Sequence, residues 1–454
     1  MSHLRALVLL LVAGLLASAD AAERPHVYLV IVDGLDAAFV SPASMPRLYD
    51  TKLARHAMFL DACAVMPART NPNHATLLTG AYAGAHGITG NAWWDRRAGS
   101  ATQKLDDAAL IEVETLYTVA GATRPELVTM GVFGKPKLGR LFAAAPGRQR
   151  APTVLWSADQ AARADRDPVT GYGRDAATIA ALLDAAADRE PDLAVVNLAD
   201  VDGAAHGAGP DTVETRAAVQ RADRALGRLI DDLRARGRWE RSVVIVTADH
   251  GFAAVAPTGA RPDPTIVLAE RLADAGVTGV HVAADGGVAH VYGDPARDAG
   301  ALARVAETVR GMPGIAETLA RVPVAGVPLL ASVHPDWKID HPRTGELLLV
   351  SARGWQFVER AGVGEAVLRG NHGGPDERRI PLVVLGGWPG LRDAAPGTPS
   401  PSAADVAPTI ALLLGLRAPR RVDGGEVPED LVGRPIRAVL ADDAIRDRSR
   451  ESTR

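Results

Sequence analysis

The chain has 454 residues, 47% of them hydrophobic and 23% charged, with a formal net charge of −4 and a single cysteine, Cys63. That supply of apolar residues supports one large buried core and excludes a disordered chain. The near-balanced charge gives no bulk attraction to nucleic acid or membrane surfaces, and one cysteine excludes both an intramolecular disulfide and a thiolate metal site.

In chain order, His3 and Arg5 precede the apolar run 6–17, and Ala17-Ser18-Ala19 or Ala19-Asp20-Ala21 offers a small-residue cleavage site. Residues 1–21 therefore read as a secretory signal peptide, and the protein as exported, periplasmic or secreted. The run is too short to span a bilayer, so no membrane span is expected after cleavage. Val27–Val32, Val128–Phe133, Leu193–Leu198, Val243–Thr247 and Pro381–Leu385 read as buried strands. Cys63, in the apolar stretch Phe59–Met66, reads as a small buried hydrophobe. Helical patterns cover Asp175–Ala187, Thr212–Arg236 and Ala403–Leu416. Between about 257 and 370 the rhythm changes: two β-like runs surround Asp285-Gly286-Gly287, and a helix pattern at Ala296–Arg310 precedes extended runs at Ile315–Val322 and Leu347–Val350. Strand–helix alternation predicts an α/β fold with a mostly parallel sheet and helices on both faces, plus a small α+β insertion. The expected organisation is a catalytic core at 22–256 and 371–441, the insertion at 257–370 and a flexible tail at 442–454.

Parallel sheets of this kind bind ligands at the carboxyl ends of their strands. Asp33 follows the first strand, Asp202 and His206 follow the third in a segment read as a glycine-rich loop, and Asp249-His250 follow the fourth. His372 lies in Asn371-His372-Gly373-Gly374. Each has an ordinary structural role on its own, as a turn residue or a glycine-turn histidine. Four strand-end sites that each offer Asp or His point together to a metal centre, with zinc favoured by the imidazole–carboxylate mixture and manganese or iron as alternatives. Thr70 precedes Asn71-Pro72 and the apolar helical run Ala75–Leu78. It reads either as a helix N-cap or as a nucleophile placed where free N–H groups and the helix dipole meet an anion.

The ordered set Thr70-Asn71-Pro72-Asn73-His74, Leu78-Thr79-Gly80, His86-Gly87-Ile88 with Asn91, Asp202-Gly203-Ala204-Ala205-His206 with Gly209-Pro210, Asp249-His250-Gly251 and His372-Gly373 resembles the nucleotide pyrophosphatase/phosphodiesterase branch of the alkaline phosphatase superfamily. Asp405-Val406-Ala407-Pro408-Thr409 is similar to that superfamily's closing helix, so the resemblance runs from about residue 25 to 440. It implies an alkaline-phosphatase-like fold and two Zn²⁺ ions. One ion would be held by Asp202, His206 and His372, and the other by Asp33, Asp249 and His250, with Thr70 as a further contact. Thr70 would attack phosphorus and form a phosphothreonine, while Asn91 and the Thr70 backbone N–H hold a non-bridging oxygen. His74 and His86 fall in the motifs without being ligands and read as structural.

Two departures bear on the substrate. Nucleotide-specific members carry an aromatic residue after the nucleophile, and here that residue is Asn71; Trp93, Trp94 and Trp156 offer another wall but read as packing residues. Lys135 and Lys137 resemble the Lys-x-Lys or Lys-x-Arg pair of phosphonoacetate hydrolases and threonine-nucleophile phosphomonoesterases, where two ammonium groups answer the charge of a monoester dianion or a substrate carboxylate. The expected activity is hydrolysis of a phosphodiester or pyrophosphate bond in a small phosphorylated substrate. Phosphomonoester or phosphonate hydrolysis is the alternative and phosphotransfer to an alcohol a more remote one. No nucleic acid partner is indicated, and the sequence leaves the oligomeric state open.

Overall fold

Apolar β-branched runs build the centre of the molecule, whose computed structural model describes residues 24–50, 52–97, 99, 102–255, 264–294, 299–360 and 368–442. The signal-peptide reading of 1–21 and the tail from 443 onward lie outside the described residues. A seven-stranded sheet contains β1 (His26–Val32), β2 (Arg55–Cys63), β3 (Thr129–Phe133), β4 (Val154–Ser157), β5 (Leu193–Leu198), β6 (Ser242–Thr247) and a last strand, Arg379–Gly386. The order across the sheet is β2, the last strand, β6, β1, β5, β3, β4. Strands β6, β1, β5, β3 and β4 run parallel, and the last strand runs antiparallel to both β6 and β2. Every residue of β3, β5 and β6 is buried, so both sheet faces are covered; this is why these strands read as continuous apolar runs instead of alternating ones.

Thr70–Thr79 forms helix α1, and Gly80 ends it in the left-handed conformation with φ 71°. Asp175–Asp188 (α2), Asp200–Ala208 (α3) and Val213–Ala235 (α4) pack together, and Val406–Leu414 (α5) lies against α1. Val219, Ala222, Leu226, Leu229 and Leu233 of α4, which repeat at three- and four-residue steps, are all buried in the core. Cys63 differs from expectation. It ends the edge strand β2, bridged to Ser402 on its outer side, and is only partly buried.

A separate four-stranded antiparallel sheet holds His281–Asp285, Val288–Tyr292, Leu347–Ser351 and Ile315–Ala320, in that spatial order, with the helix Ala299–Val309 and its own apolar core. Its first two strands form a hairpin closed by Gly286-Gly287. Among the described residues no helix is long and apolar enough to cross a membrane.

Register sets what emerges at the functional end. Val32 of β1 pairs with Leu198 of β5, and Ile31 with Thr247 of β6. The residues that follow these three neighbouring strands therefore leave the sheet side by side.

Candidate metal centre

Asp33 leaves β1 with its N–H donated to the Leu198 carbonyl (2.9 Å). Asp202 and His206 do not lie in a loop. They sit four residues apart on α3, so one helix turn stacks them on the same face, with His206 Nε2 3.5 Å from Asp202 Oδ1. Two glycines within Gly203–Gly207 made a loop the reasonable expectation; packing of α3 against α4 overrides that propensity. Asp249 and His250 follow β6, and Asp249 Oδ1 accepts the Gly34 N–H (3.0 Å), which ties this loop to the one after β1. His372 follows the two-residue strand Gly370–Asn371, which pairs with Ala253–Ala254 just beyond His250.

All three histidines have a defined tautomer. His206 Nδ1–H donates to the Gly370 carbonyl (2.9 Å), His250 Nδ1–H to Gly251 (3.0 Å) and His372 Nδ1–H to Ala68 (2.8 Å). Each Nε2 therefore turns a lone pair inward. Asp202 Oδ1 faces all three of these nitrogens, at 3.5, 4.0 and 3.7 Å for His206, His250 and His372, and has no hydrogen-bond donor of its own. Lone pairs pointed at a buried carboxylate oxygen repel unless a cation lies between them. Three groups of donor atoms close enough to share an ion occur among the described residues: Asp202, His206 and His372; Asp33, Asp202 and His250; and Asp33, His74 and Asp249. The expected trio Asp33, Asp249 and His250 is also drawn together, with His250 Nε2 3.6 Å from Asp33 Oδ1 and 3.3 Å from Asp249 Oδ2.

Charge gives the same answer. Asp33, Asp202 and Asp249 are fully buried, and the neighbouring buried cation is Lys135, whose Nζ lies 2.7 Å from both Asp33 Oδ1 and Asp202 Oδ2. Three carboxylates against one ammonium leave excess negative charge in a dry site, which divalent ions would neutralise. Burial, then the Asp249 carboxylate, raises the Asp33 pKa. Burial pulls the His250 imidazole down to about 4 against the pull of Asp249 and Asp202, keeping it a neutral ligand at neutral pH. The donor set of imidazole nitrogens and carboxylate oxygens fits zinc.

Thr70 is the first residue of α1, not its N-cap. Arg69 occupies the cap position without a side-chain cap bond. The Thr70 hydroxyl lies 3.4 Å from His250 Nε2 and 3.4 Å from Lys135 Nζ, facing the acidic cluster from the helix N-terminus. Asn91 meets the same helix end: its side-chain oxygen accepts the Asn71 backbone N–H (3.0 Å), which fixes the amide group beside Thr70. The Asn71 side chain turns away and donates to the Leu105 carbonyl (2.9 Å). His74, buried behind the cluster, contacts the Thr70 carbonyl (3.0 Å), Asp249 Oδ2 (3.3 Å) and, through Nε2, Asn197 (3.2 Å). Asn197 in turn donates to Asp33 Oδ2 (2.9 Å), so this pair braces two carboxylates from behind. His86 lies within the fold, its Nε2 3.0 Å from the Thr76 hydroxyl and its Nδ1 accepting from the Ile88 N–H.

Beyond Thr70 opens a cleft of about 780 Å³ lined by Asn71, Asn91, Lys104, Lys137, His281 and Arg360, among others. The two lysines expected to act as a pair have different surroundings here. Lys137 lines the cleft, whereas Lys135 is buried against the carboxylates. Burial, then the Lys135 charge, brings the Lys137 amine down to about 8. None of Trp93, Trp94 and Trp156 lines the cleft; Trp94 stacks on His281 with ring centroids 5.1 Å apart. Arg69, Asp285 and Asn197 were not singled out as site residues from the sequence, where Asp285 read only as part of a turn between two β-like runs. Their contacts with Asn91, Asp33 and one another join segments far apart in the chain, and such pairing leaves no local trace.

The family profile described as type I phosphodiesterase / nucleotide pyrophosphatase matches residues 27–375. Curated relatives include a venom phosphodiesterase of Naja atra, 24% identical over 53% of this chain and 28% of that protein. Ectonucleotide pyrophosphatase/phosphodiesterase family member 3 of Mus musculus is 27% identical over 51% of this chain and 25% of that protein. The matched region thus spans about a quarter of the length of these relatives. Among solved structures, murine ectonucleotide pyrophosphatase/phosphodiesterase 5, as an inactive threonine-to-alanine variant in complex with AMP, superposes with a TM-score of 0.65 at 18% identity, covering 87% of this chain and 96% of that one. Phosphonoacetate hydrolase from Sinorhizobium meliloti 1021, in complex with phosphonoformate, gives a TM-score of 0.61 at 20% identity, covering 86% and 95%. The fold is therefore the alkaline-phosphatase-like α/β fold of these enzymes.

Proposed function

We propose that this chain, which belongs to the type I phosphodiesterase/nucleotide pyrophosphatase family of hydrolases, cleaves phosphodiester or pyrophosphate bonds at a two-metal centre through a phosphothreonine on Thr70. The observation that carries this reading is the Thr70 hydroxyl at a helix N-terminus, facing three inward-turned imidazoles and three buried carboxylates. Two zinc ions, one held by Asp202, His206 and His372 and one by Asp33, Asp249 and His250 beside Thr70, would acidify the threonine hydroxyl and offset charge on the phosphoryl oxygens. Thr70 Oγ1 gives its proton to solvent and bonds to phosphorus as the bond to the leaving oxygen breaks, and that oxygen departs with the bonding pair and takes up a proton from water. Water then cleaves the phosphothreonine and restores the hydroxyl. Lys135 Nζ, 3.4 Å from Oγ1, favours the deprotonated threonine. The Asn91 amide and the Thr70 N–H hold a non-bridging oxygen as its charge develops. The inactivity of the threonine-to-alanine variant of the murine relative supports the same nucleophile.

A second reading, a monoester or a phosphonate bearing a remote carboxylate, is favoured by one observation. The cleft presents the ammonium of Lys137 and, in the position after the nucleophile, an asparagine whose side chain is turned away. Transfer of the phosphoryl group to an alcohol would use the same intermediate. As part of this proposal, residues 22–256 and 371–441 form the catalytic core and 257–370 an insertion, and the enzyme is exported, as the ecto- and venom enzymes among its relatives are by name.

The test is a comparison of rates on p-nitrophenyl phosphate, bis-p-nitrophenyl phosphate, a nucleotide and phosphonoacetate, before and after chelation and with zinc restored. Zinc-dependent turnover led by the diester or the nucleotide supports the first reading, and a lead for the monoester or phosphonoacetate supports the second. Full activity after complete metal removal overturns both.

A further inference from the structure

Asp285 ends the first strand of the insertion's sheet, yet its carboxylate reaches the heart of the site. It is 1% exposed, and its two oxygens serve two different parts of the core. Oδ1 lies 2.8 Å from Arg69 Nε, the residue that caps the Thr70 helix. Oδ2 accepts the backbone N–H of Asn91 at 2.8 Å. Arg69 extends the link, since its Nη1 donates to the His372 carbonyl (3.0 Å) and to Asn371 Oδ1 (3.2 Å). The turn that follows is shaped for this approach. Gly287 N–H donates to the His372 carbonyl (3.0 Å), and Gly286 has φ +66°. A Cβ on Gly286 would stand 2.5 Å from Arg69 Nη1 and collide with the His372 carbonyl, so only glycine fits at both the angle and the distance.

We infer that Asp285 is a positioning residue for phosphoryl transfer: one carboxylate from the insertion sets the start of the Thr70 helix through Arg69 and the Asn91 amide through its backbone. The insertion is in this respect a working part of the active site. Asp285, 1% exposed at the wall of the cleft, acts by holding two groups from separate segments in one geometry, as preorganised electrostatic stabilisation requires. This inference rests on Thr70 and Asn91 having the roles proposed above.

The experiment is a double-mutant cycle of Asp285→Ala and Asn91→Ala on the zinc-loaded full chain, with kcat and KM on bis-p-nitrophenyl phosphate. Removing one such donor costs on the order of 10²–10³ in kcat, so N91A should fall in that range and D285A should lose about 10- to 100-fold with KM changed less than about threefold. In the N91A background, D285A should cost several-fold less than in the parent, because one of the two groups it orients is gone while the Arg69 branch remains. Losses that multiply fully in the double variant, or a kcat within about threefold of the parent in D285A, overturn the positioning role while leaving the site assignment intact. Unchanged kcat in N91A alone instead removes the site assignment and this inference with it. Asp285→Asn guards against misfolding. It keeps an acceptor for the Asn91 N–H and loses only the charge facing Arg69, so its kcat should lie between parent and D285A; a kcat equal to the parent's overturns the Arg69 branch.

Discussion

The metal cage and the cleft beside it are built on opposite plans. The cage is assembled from the residues after neighbouring parallel strands, from helix α3 and from the His372 loop, and its histidines are locked by backbone carbonyls at 2.8–3.0 Å. The cleft is assembled from excursions: the hairpin strand Thr102–Lys104, the short helix Pro136–Leu141 that carries Lys137, and the end of the insertion at Glu359-Arg360. Arg69, Asn71, Asp285 and Val358 form a buried floor, whereas most of the remaining lining side chains are half-buried or exposed, and Lys104 and Arg360 stand on the surface. A cage held this way performs one chemistry, whereas a rim built from loops sets which ester reaches it.

Changes to the cage should therefore depress all substrates alike, and changes to the cleft should reorder them. Thr70→Ala removes the hydroxyl proposed to bond to phosphorus while leaving every imidazole and carboxylate in place. Turnover should fall by at least about 10³-fold on diester, monoester and phosphonate substrates together, with the zinc content measured by metal analysis unchanged. Loss on one substrate only would make Thr70 a specificity residue and erase the contrast.

Lys137→Ala tests the other side. A hydrogen bond to a charged group is worth about 1.5–3 kcal/mol, so the ratio of p-nitrophenyl phosphate to bis-p-nitrophenyl phosphate turnover should drop by about tenfold or more. Arg360→Ala, at an exposed position, should shift the same ratio by only about two- to fivefold, as expected for a screened surface charge. Equal losses on both esters in either variant would mean that the cleft does not read substrate charge.

The same contrast explains what the sequence disclosed. Asp33, Asp249 and His250 were legible because each directly follows a buried Val/Ile run, and parallel sheets place ligands at those strand ends. Asp202 and His206 were legible as a pair but misplaced in a loop, since helix propensity weighs Gly203 and Gly207 while packing against α4 decides the outcome. Lys135 was read by its spacing from Lys137, yet spacing of two across a strand-to-helix junction sends one side chain into the core and the other to the cleft. Asp285 and Arg69 were illegible for a deeper reason. Their pairing depends on how the insertion's sheet docks on the core, and no local pattern encodes docking.

The smallest expected effect concerns the loop that carries His372. Glu377 is buried, and its carboxylate accepts the Gly374 N–H at 2.7 Å. Burial raises its pKa to about 7, with Asp376 and Asp36 adding to the shift. Because the folded value exceeds the ordinary glutamate value of about 4.3, the folded protein binds more protons than the unfolded one between these limits. Stability from this group is thus fully present below about pH 4 and is lost as pH rises through about 7. Glu377→Gln keeps an oxygen for the Gly374 N–H and removes the titration. Thermal unfolding of the two proteins should coincide near pH 4, and the variant should melt a few degrees higher at pH 8. A difference that is the same at both pH values would show that Glu377 is not the titrating group, and would separate the support of the His372 loop from its charge.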